Sequence, residues 1–185
     1  MSGYSDDELI DRFRNESSRS EAFSVMVTRY RERLYWHIRK MVIVHEDADD
    51  VLQNSFLKAW KGLDTFKGEA QLYTWLYRIA TNESINFLNQ KRNRNMVPLE
   101  DAEYLLSQSL HHDEYFSGDD LQKQLQQAIL SLPEKQRIVF NMRYFDEVPY
   151  DEMSEILGTS AGALKASYHH AVKKIKDWFE LNVEN

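Results

Sequence analysis

Apolar residues recur at spacings of three and four along most of the chain, and an alternation of two never persists beyond a few positions. That pattern predicts an all-α protein. Ser5 followed by Asp6, Asp7 and Glu8 marks a capped helix start, because acids favour the positive end of the helix dipole. That helix is expected to reach about Asn15. Ser20 is read as the cap of a second helix, Glu21 to about Met41, with Phe23, Val27, Tyr30, Leu34 and Ile38 inward. Arg29, Arg31, Arg33, Arg39 and Lys40 form its outer side. Glu46 to Leu63 has the cleanest amphipathic stripe, formed by Ala48, Val51, Leu52, Phe56, Ala59, Trp60 and Leu63. A loop from Asp64 to Gln71, with Gly68 permitting a turn, leads to a fourth helix from Leu72 to about Arg92. Its buried face takes Leu72, Trp75, Leu76, Ile79, Ala80 and Phe87, with Tyr73 and Tyr77 at the edge.

Residues 95–118 have no convincing period and contain Pro98, Gly118 and several serines, which reads as a linker. Helices are expected again from Asp119 to Ser131 and from Pro133 to Tyr144, with Pro133 at the first turn of the second. Tyr150 to Leu157 is short and amphipathic, and Gly158 can end it in a left-handed conformation. Ser160 can cap a last helix that carries Leu164, Tyr168, Ala171, Val172 and Ile175 inward, with Trp178, Phe179 and Leu181 closing it against the core. Lys165, Ser167, His169, His170, Lys173, Lys174 and Lys176 lie on its outer face. A helix, a tight glycine turn and a helix with a basic face is how a helix-turn-helix meets the DNA major groove. An ordinary helical hairpin in an all-α core would read the same way.

A net charge of −7 sits poorly with DNA binding until it is located. Seven acids and no Lys or Arg fall in residues 96–120, and the blocks on either side carry +1 and −1. The acidity is therefore a property of that one segment, while basic residues cluster locally at Lys91, Arg92 and Arg94 and at Lys173, Lys174 and Lys176. Such patches, rather than net charge, supply phosphate contacts. The predicted architecture is two small helical domains, residues 1–95 and 119–185, joined by a flexible acidic linker over 96–118. There are no cysteines, so neither disulfides nor thiolate zinc can hold the fold. No apolar run is long enough to span a membrane, and the acidic start is unlike a signal peptide, so no membrane insertion and a cytoplasmic location are expected.

Two further faces carry candidate chemistry. Asp49, Asp50, Gln53 and Asn54 oppose the stripe of the third helix, with Leu57 left outside it. An exposed Leu among polar residues suits protein docking, and equally suits a solvated face with one stray apolar residue. On the fourth helix Arg78, Asn82, Asn86 and Asn89 share a side. Amides can read base edges and tyrosines can stack on unpaired bases. The alternative is a solvated face ending in cations that favour a helix C-terminus. An enzyme is disfavoured, and no metal or cofactor is expected. The paired histidines are sequence neighbours rather than four apart, and no phosphate-cradling glycine loop exists.

The segments DADDVLQNSFLKAWKGLDTFKGEAQLYTWLYRIATNESINFLNQKRNR and LPEKQRIVFNMRYFDEVPYDEMSEILGTSAGALKASYHHAVKKIK together resemble a bacterial sigma factor of the extracytoplasmic-function group. The first resembles the family's region two and the second its region four. The resemblance implies a non-catalytic subunit that lends core RNA polymerase promoter recognition and strand opening. It implies docking of Asp49, Asp50, Gln53, Asn54 and Leu57 on the polymerase β′ coiled coil, with the second domain meeting the β flap. It implies opening of the −10 promoter element by the loop Phe66 to Ala70, including Lys67, and by Tyr73, Tyr77, Arg78, Asn82 and Asn86. Lys91, Arg92 and Arg94 would hold phosphates there. Asn82 would read the flipped base. The −35 element would be read by Ser160, Lys165, Ala166, Ser167, His169, His170 and Lys173. The recognition helix departs from the family in lacking Arg: Ser167 and His170 stand where Arg is common, and Ala163 where Thr is common. The resemblance also implies an anti-sigma partner and a linker that threads the RNA-exit path. The competing class is a stand-alone helix-turn-helix regulator that never touches core polymerase.

Overall fold

The computed structural model describes residues 3–95 and 120–182, and for 92–95 the backbone alone. The predicted linker, with Tyr104 to Leu106, His111 and His112, lies outside the described residues, as do the side chains of Arg92 and Arg94. Every regular element among the described residues is helical: α1 Asp6–Arg14, α2 Arg19–Val42, α3 His45–Gly62, α4 Leu72–Asn95, α5 Asp120–Leu130, α6 Glu134–Tyr144, α7 Tyr150–Leu157 and α8 Ala161–Asn182, with one 3-10 turn at Leu63–Thr65. They form two compact units that divide at Leu88 and Asn89, within the C-terminal part of α4.

In the first unit α1 begins with a full capping box. Ser5 Oγ accepts from the Glu8 N–H at 3.3 Å and Glu8 Oε2 accepts from the Ser5 N–H at 2.7 Å. Those bonds hold the Glu8 carboxyl below its ordinary pKa. Helix α1 packs on α2, and α2 on α3. Leu9 and Phe13 of α1, Ala22, Met26, Leu34 and Ile38 of α2 and Ala48, Val51 and Ala59 of α3 are all buried. An aromatic wedge closes one end, where the Trp60 ring stands edge-on to Phe13 at 5.1 Å and to Phe23 at 5.0 Å.

Two expectations on α2 are corrected. The helix starts at Arg19, and Ser20 lies inside it rather than capping it; the Ser20 carbonyl accepts from the Ser24 hydroxyl at 2.9 Å. Arg39, read as an outer cation, is 2% exposed. Its helix position turns it toward the protein, whereas Arg31 and Arg33 stay outside.

The second unit buries Ala128, Ile129 and Leu132 against Phe140, Ala171 and Ile175, with Trp178 and Phe179 partly covered at its edge. Pro133 stands one residue before α6 as its N-cap, not in its first turn. Helix α7 has the predicted bounds. Gly158 ends it at φ 63°, in the left-handed region where a Cβ would be strained. Ser160 Oγ accepts from the Ala163 N–H at 3.3 Å, so the predicted cap is present. Two apolar positions of α8 are corrected: Val172 is 42% exposed and Leu181 is 73% exposed. Val172 sits one residue beyond the buried Ala171, which takes the inward position of that turn.

Candidate functional site

Three surfaces carry the polar and basic residues that the sequence singles out. On α3, Asp50, Gln53 and Asn54 are exposed, Asp49 is half-buried and Leu57 is 53% exposed. Asp49 lies 3.5 Å from the His45 imidazole one turn earlier. Of these, Asp49, Gln53 and Leu57 border a groove of about 640 Å³ between α2 and α3. Its floor is apolar, from Phe23, Val27, Leu52, Phe56 and Trp60, and Arg31 and Asp49 put opposite charges among its walls. Sequence periodicity missed this groove because it assigned Phe23, Val27 and Trp60 wholly to the core, whereas each is half-buried. The legible signal was Leu57, the apolar residue left over on the polar side.

Helix α4 presents Arg78, Asn82, Asn86 and Asn89 to solvent on one side. Asn86 Nδ2 donates to Glu83 Oε1 at 3.3 Å, and the Lys58 ammonium pairs with the same carboxylate. Lys91 is half-buried near the end of the helix. The opposite side is locked to α2. Thr81 donates its hydroxyl to the Tyr77 carbonyl at 2.9 Å, and the same oxygen lies within hydrogen-bond distance of His37 Nε2 at 2.8 Å. Tyr77 stacks on the His37 imidazole with centroids 3.9 Å apart. At 2% exposure Tyr77 cannot stack on a DNA base, which corrects its assignment to the DNA-binding set. Its ring fills the α2–α4 contact instead. Tyr73 is half-buried, 5.6 Å from Tyr30 and 5.8 Å from Tyr77 between centroids, with the Arg33 guanidinium 3.8 Å above its ring.

The loop before α4 is anchored at its first residue. Phe66 is 7% exposed, packs on Trp75 at 5.2 Å, and its carbonyl accepts from Arg14 at 3.1 Å. Phe66 therefore belongs to the core, and within residues 66–70 Lys67, Gly68 and Glu69 are exposed. Gly68 turns the chain at φ 73°.

On the second unit Ser160, Lys165, Ala166, His169, His170 and Lys173 are exposed along α8 and its cap, and Ser167 is half-buried. The His169 and His170 rings are 6.1 Å apart, side by side rather than converging. Tyr150, the first residue of α7, carries Arg143 at 5.2 Å and Lys165 at 5.7 Å from its ring centroid. Burial raises the pKa of the neighbouring Tyr168, with Tyr150 adding to the effect. The Tyr168 phenol thus stays a neutral packing group beside the basic face at neutral pH. Among the described residues no three His, Asp or Glu side chains converge as a metal site requires, and no helix is long and apolar enough to cross a membrane.

Comparison with known proteins adds the following. Residues 26–94 match the family model described as Sigma-70 region 2, and residues 122–175 match Sigma-70, region 4. The chain is 29% identical over 178 residues to the RNA polymerase sigma-H factor of Pseudomonas aeruginosa, covering 92% of this chain and 91% of that one. It is 28% identical over 164 residues to the ECF RNA polymerase sigma factor SigW of Bacillus subtilis, covering 84% and 88% respectively. Its fold is similar to that of the sigma factor RpoE solved in complex with the anti-sigma factor NepR from Bartonella quintana. The TM-score is 0.66 at 19% identity, with 86% of this chain and 98% of that chain covered.

Proposed function

The chain belongs to the sigma-70 family, in its extracytoplasmic-function group, and directs transcription initiation by RNA polymerase; from that premise we propose how its surfaces divide the work. The α2–α3 groove, together with Asp49, Asp50, Gln53, Asn54 and Leu57, docks on the polymerase β′ coiled coil. The exposed side of α4, with Arg78, Asn82 and Asn86, opens the −10 element. Tyr73, the loop residues around Lys67, and Lys91, Arg92 and Arg94 assist it. Asn82 holds the flipped base. Helix α8 reads the −35 element through Lys165, Ala166, His169 and His170. Ser160, Ser167 and Lys173 lie alongside, and the second unit rests on the β flap.

The observation that carries this reading is the two-sidedness of α4. One side is pinned to α2 through Tyr77, His37 and Thr81, and the other leaves Arg78 and Asn82 exposed. A rigid helix that exposes the Asn82 amide and the Arg78 guanidinium suits base-edge hydrogen bonding. The apolar floor of the groove, with Leu57 at its edge, suits a helical partner. Sigma factors are initiation factors rather than catalysts, so the phosphoryl chemistry stays with the core enzyme. The group's crystallised relative, bound to an anti-sigma factor, supports an anti-sigma partner for this chain too. Its work is done where transcription takes place, in the cytoplasm.

The test is a pull-down with core polymerase, paired with transcription from duplex and from pre-opened templates. Leu57→Asp is expected to abolish core capture. Asn82→Ala is expected to keep core capture and to lose transcription from duplex more than from a template already open at −10. Undiminished capture by Leu57→Asp, or equal losses on both templates for Asn82→Ala, would overturn the corresponding assignment. No capture of core by the unsubstituted chain would make it a stand-alone DNA binder.

A further inference from the structure

We propose that Arg33 of α2, seated on the ring of Tyr73, binds a phosphate of the promoter strand that α4 handles, so that the nucleic-acid surface extends from α4 onto α2. The proposal rests on the promoter-opening reading of the first unit. Its starting point is how the arginines of that unit are used. Arg12 pairs with Glu21 at 3.1 Å, Arg14 with Asp11 at 3.4 Å, Arg19 with Asp64 at 2.5 Å and Arg29 with Asp6 at 2.6 Å. Arg33 is exposed, and among the described residues it has no carboxylate in ion-pair range. What holds it is an aromatic face, with its guanidinium carbon 3.8 Å from the Tyr73 centroid.

The difference matters chemically. A carboxylate neutralises a guanidinium and occupies its N–H fork. An aromatic ring orients the guanidinium plane but leaves both the charge and the fork available. The fork matches two phosphate oxygens, and such bidentate contacts are among the strongest protein hydrogen bonds. The seat is also rigid. Tyr73 is held between Tyr30 at 5.6 Å and Tyr77 at 5.8 Å, and Tyr77 is itself stacked on His37 at 3.9 Å. Little side-chain freedom then remains to be lost when a phosphate arrives. Tyr73 opens the same helix that carries Arg78 and Asn82, just after the exposed loop residues Lys67 to Glu69.

The experiment uses holoenzyme assembled from core polymerase and the full chain, with a promoter fragment pre-opened at its −10 element. Dissociation constants are measured across a salt series. Arg33→Ala is expected to weaken binding roughly tenfold, as for one charged hydrogen bond, and to lower the log–log salt slope by about 1. Arg33→Lys is expected to keep the slope while recovering only part of the affinity, because the ammonium keeps the charge and loses the fork. Core affinity and thermal midpoint are expected to stay at wild-type values for both. If Arg33→Ala changes neither affinity nor slope while Arg78→Ala does, Arg33 only packs on Tyr73 and the inference fails alone. If Arg33→Ala lowers core affinity instead, α2 serves protein docking there and the inference is likewise overturned. If neither Arg33→Ala nor Arg78→Ala has an effect, the promoter-opening reading fails and takes the inference with it.

Discussion

Tyr30 donates its phenolic hydrogen to Asp6 Oδ2 at 2.6 Å, and Arg29 binds the other oxygen of the same carboxylate at 2.6 Å. Burial, and after it the hydrogen bond to Asp6, pushes the Tyr30 phenol up to about 12 from an ordinary 10.0. The fold therefore holds that proton more tightly than the unfolded chain does. This contribution to stability is complete below pH 10 and is lost as the pH rises toward 12. Thermal midpoints of wild type and Tyr30→Phe between pH 9 and about 11.5 check it. The wild type is expected to fall more steeply, and parallel curves would show that Tyr30 ionises freely. Individual residues were legible from the sequence where helical spacing alone decides exposure. Asn82, Lys165 and Leu57 are on the surface as expected. Tyr77 was misread because amphipathic side chains sit at the edge of a helical wheel, and only the partner helix decides whether they are covered. Here His37 supplies the cover, and nothing local to Tyr77 in the sequence announces it. Arg39 failed for the same reason.

At the scale of the element, local chemistry set the boundaries that were read correctly. The capping box of α1, the left-handed Gly158 and the Ser160 cap each act within a few residues, so their signals are contained in the sequence. Where no cap forms, as at the start of α2, the boundary is set by packing and a serine nearby misleads. The turn between α7 and α8 also fixes how the exposed residues of α8 are offered. Gly158→Ala forces a Cβ into the left-handed region and is expected to destabilise the second unit by about 1 to 2 kcal/mol. Ser160→Ala removes the cap and is expected to cost about 1 kcal/mol. Denaturant melts of the full chain followed by near-ultraviolet circular dichroism check both. A second-unit transition unmoved by either substitution would mean that the turn is not what stabilises the α7–α8 pair.

For the whole molecule, two all-α units carry the two parts of a sigma factor, in the order that the family models match. Fold class was legible because helical periodicity runs through both units and Gly68, Pro133, Pro149 and Gly158 fall between elements. The groove beside Leu57 was not, because a concave surface is made jointly by α2 and α3 and by half-buried residues that look like core on either helix alone. The charge distribution fits the division of labour. The strongly acidic run occupies residues 96–120 of the sequence, and the exposed cations of α4 and α8 belong to other segments. The most direct measurement is transcription in vitro by core polymerase on fragmented genomic DNA, with and without the chain, followed by mapping of transcript 5′ ends. The account predicts a small set of start sites that depend on the chain, each preceded by the same pair of sequence elements near −10 and −35. The same start sites with and without the chain, or chain-dependent sites with no shared upstream elements, would contradict it.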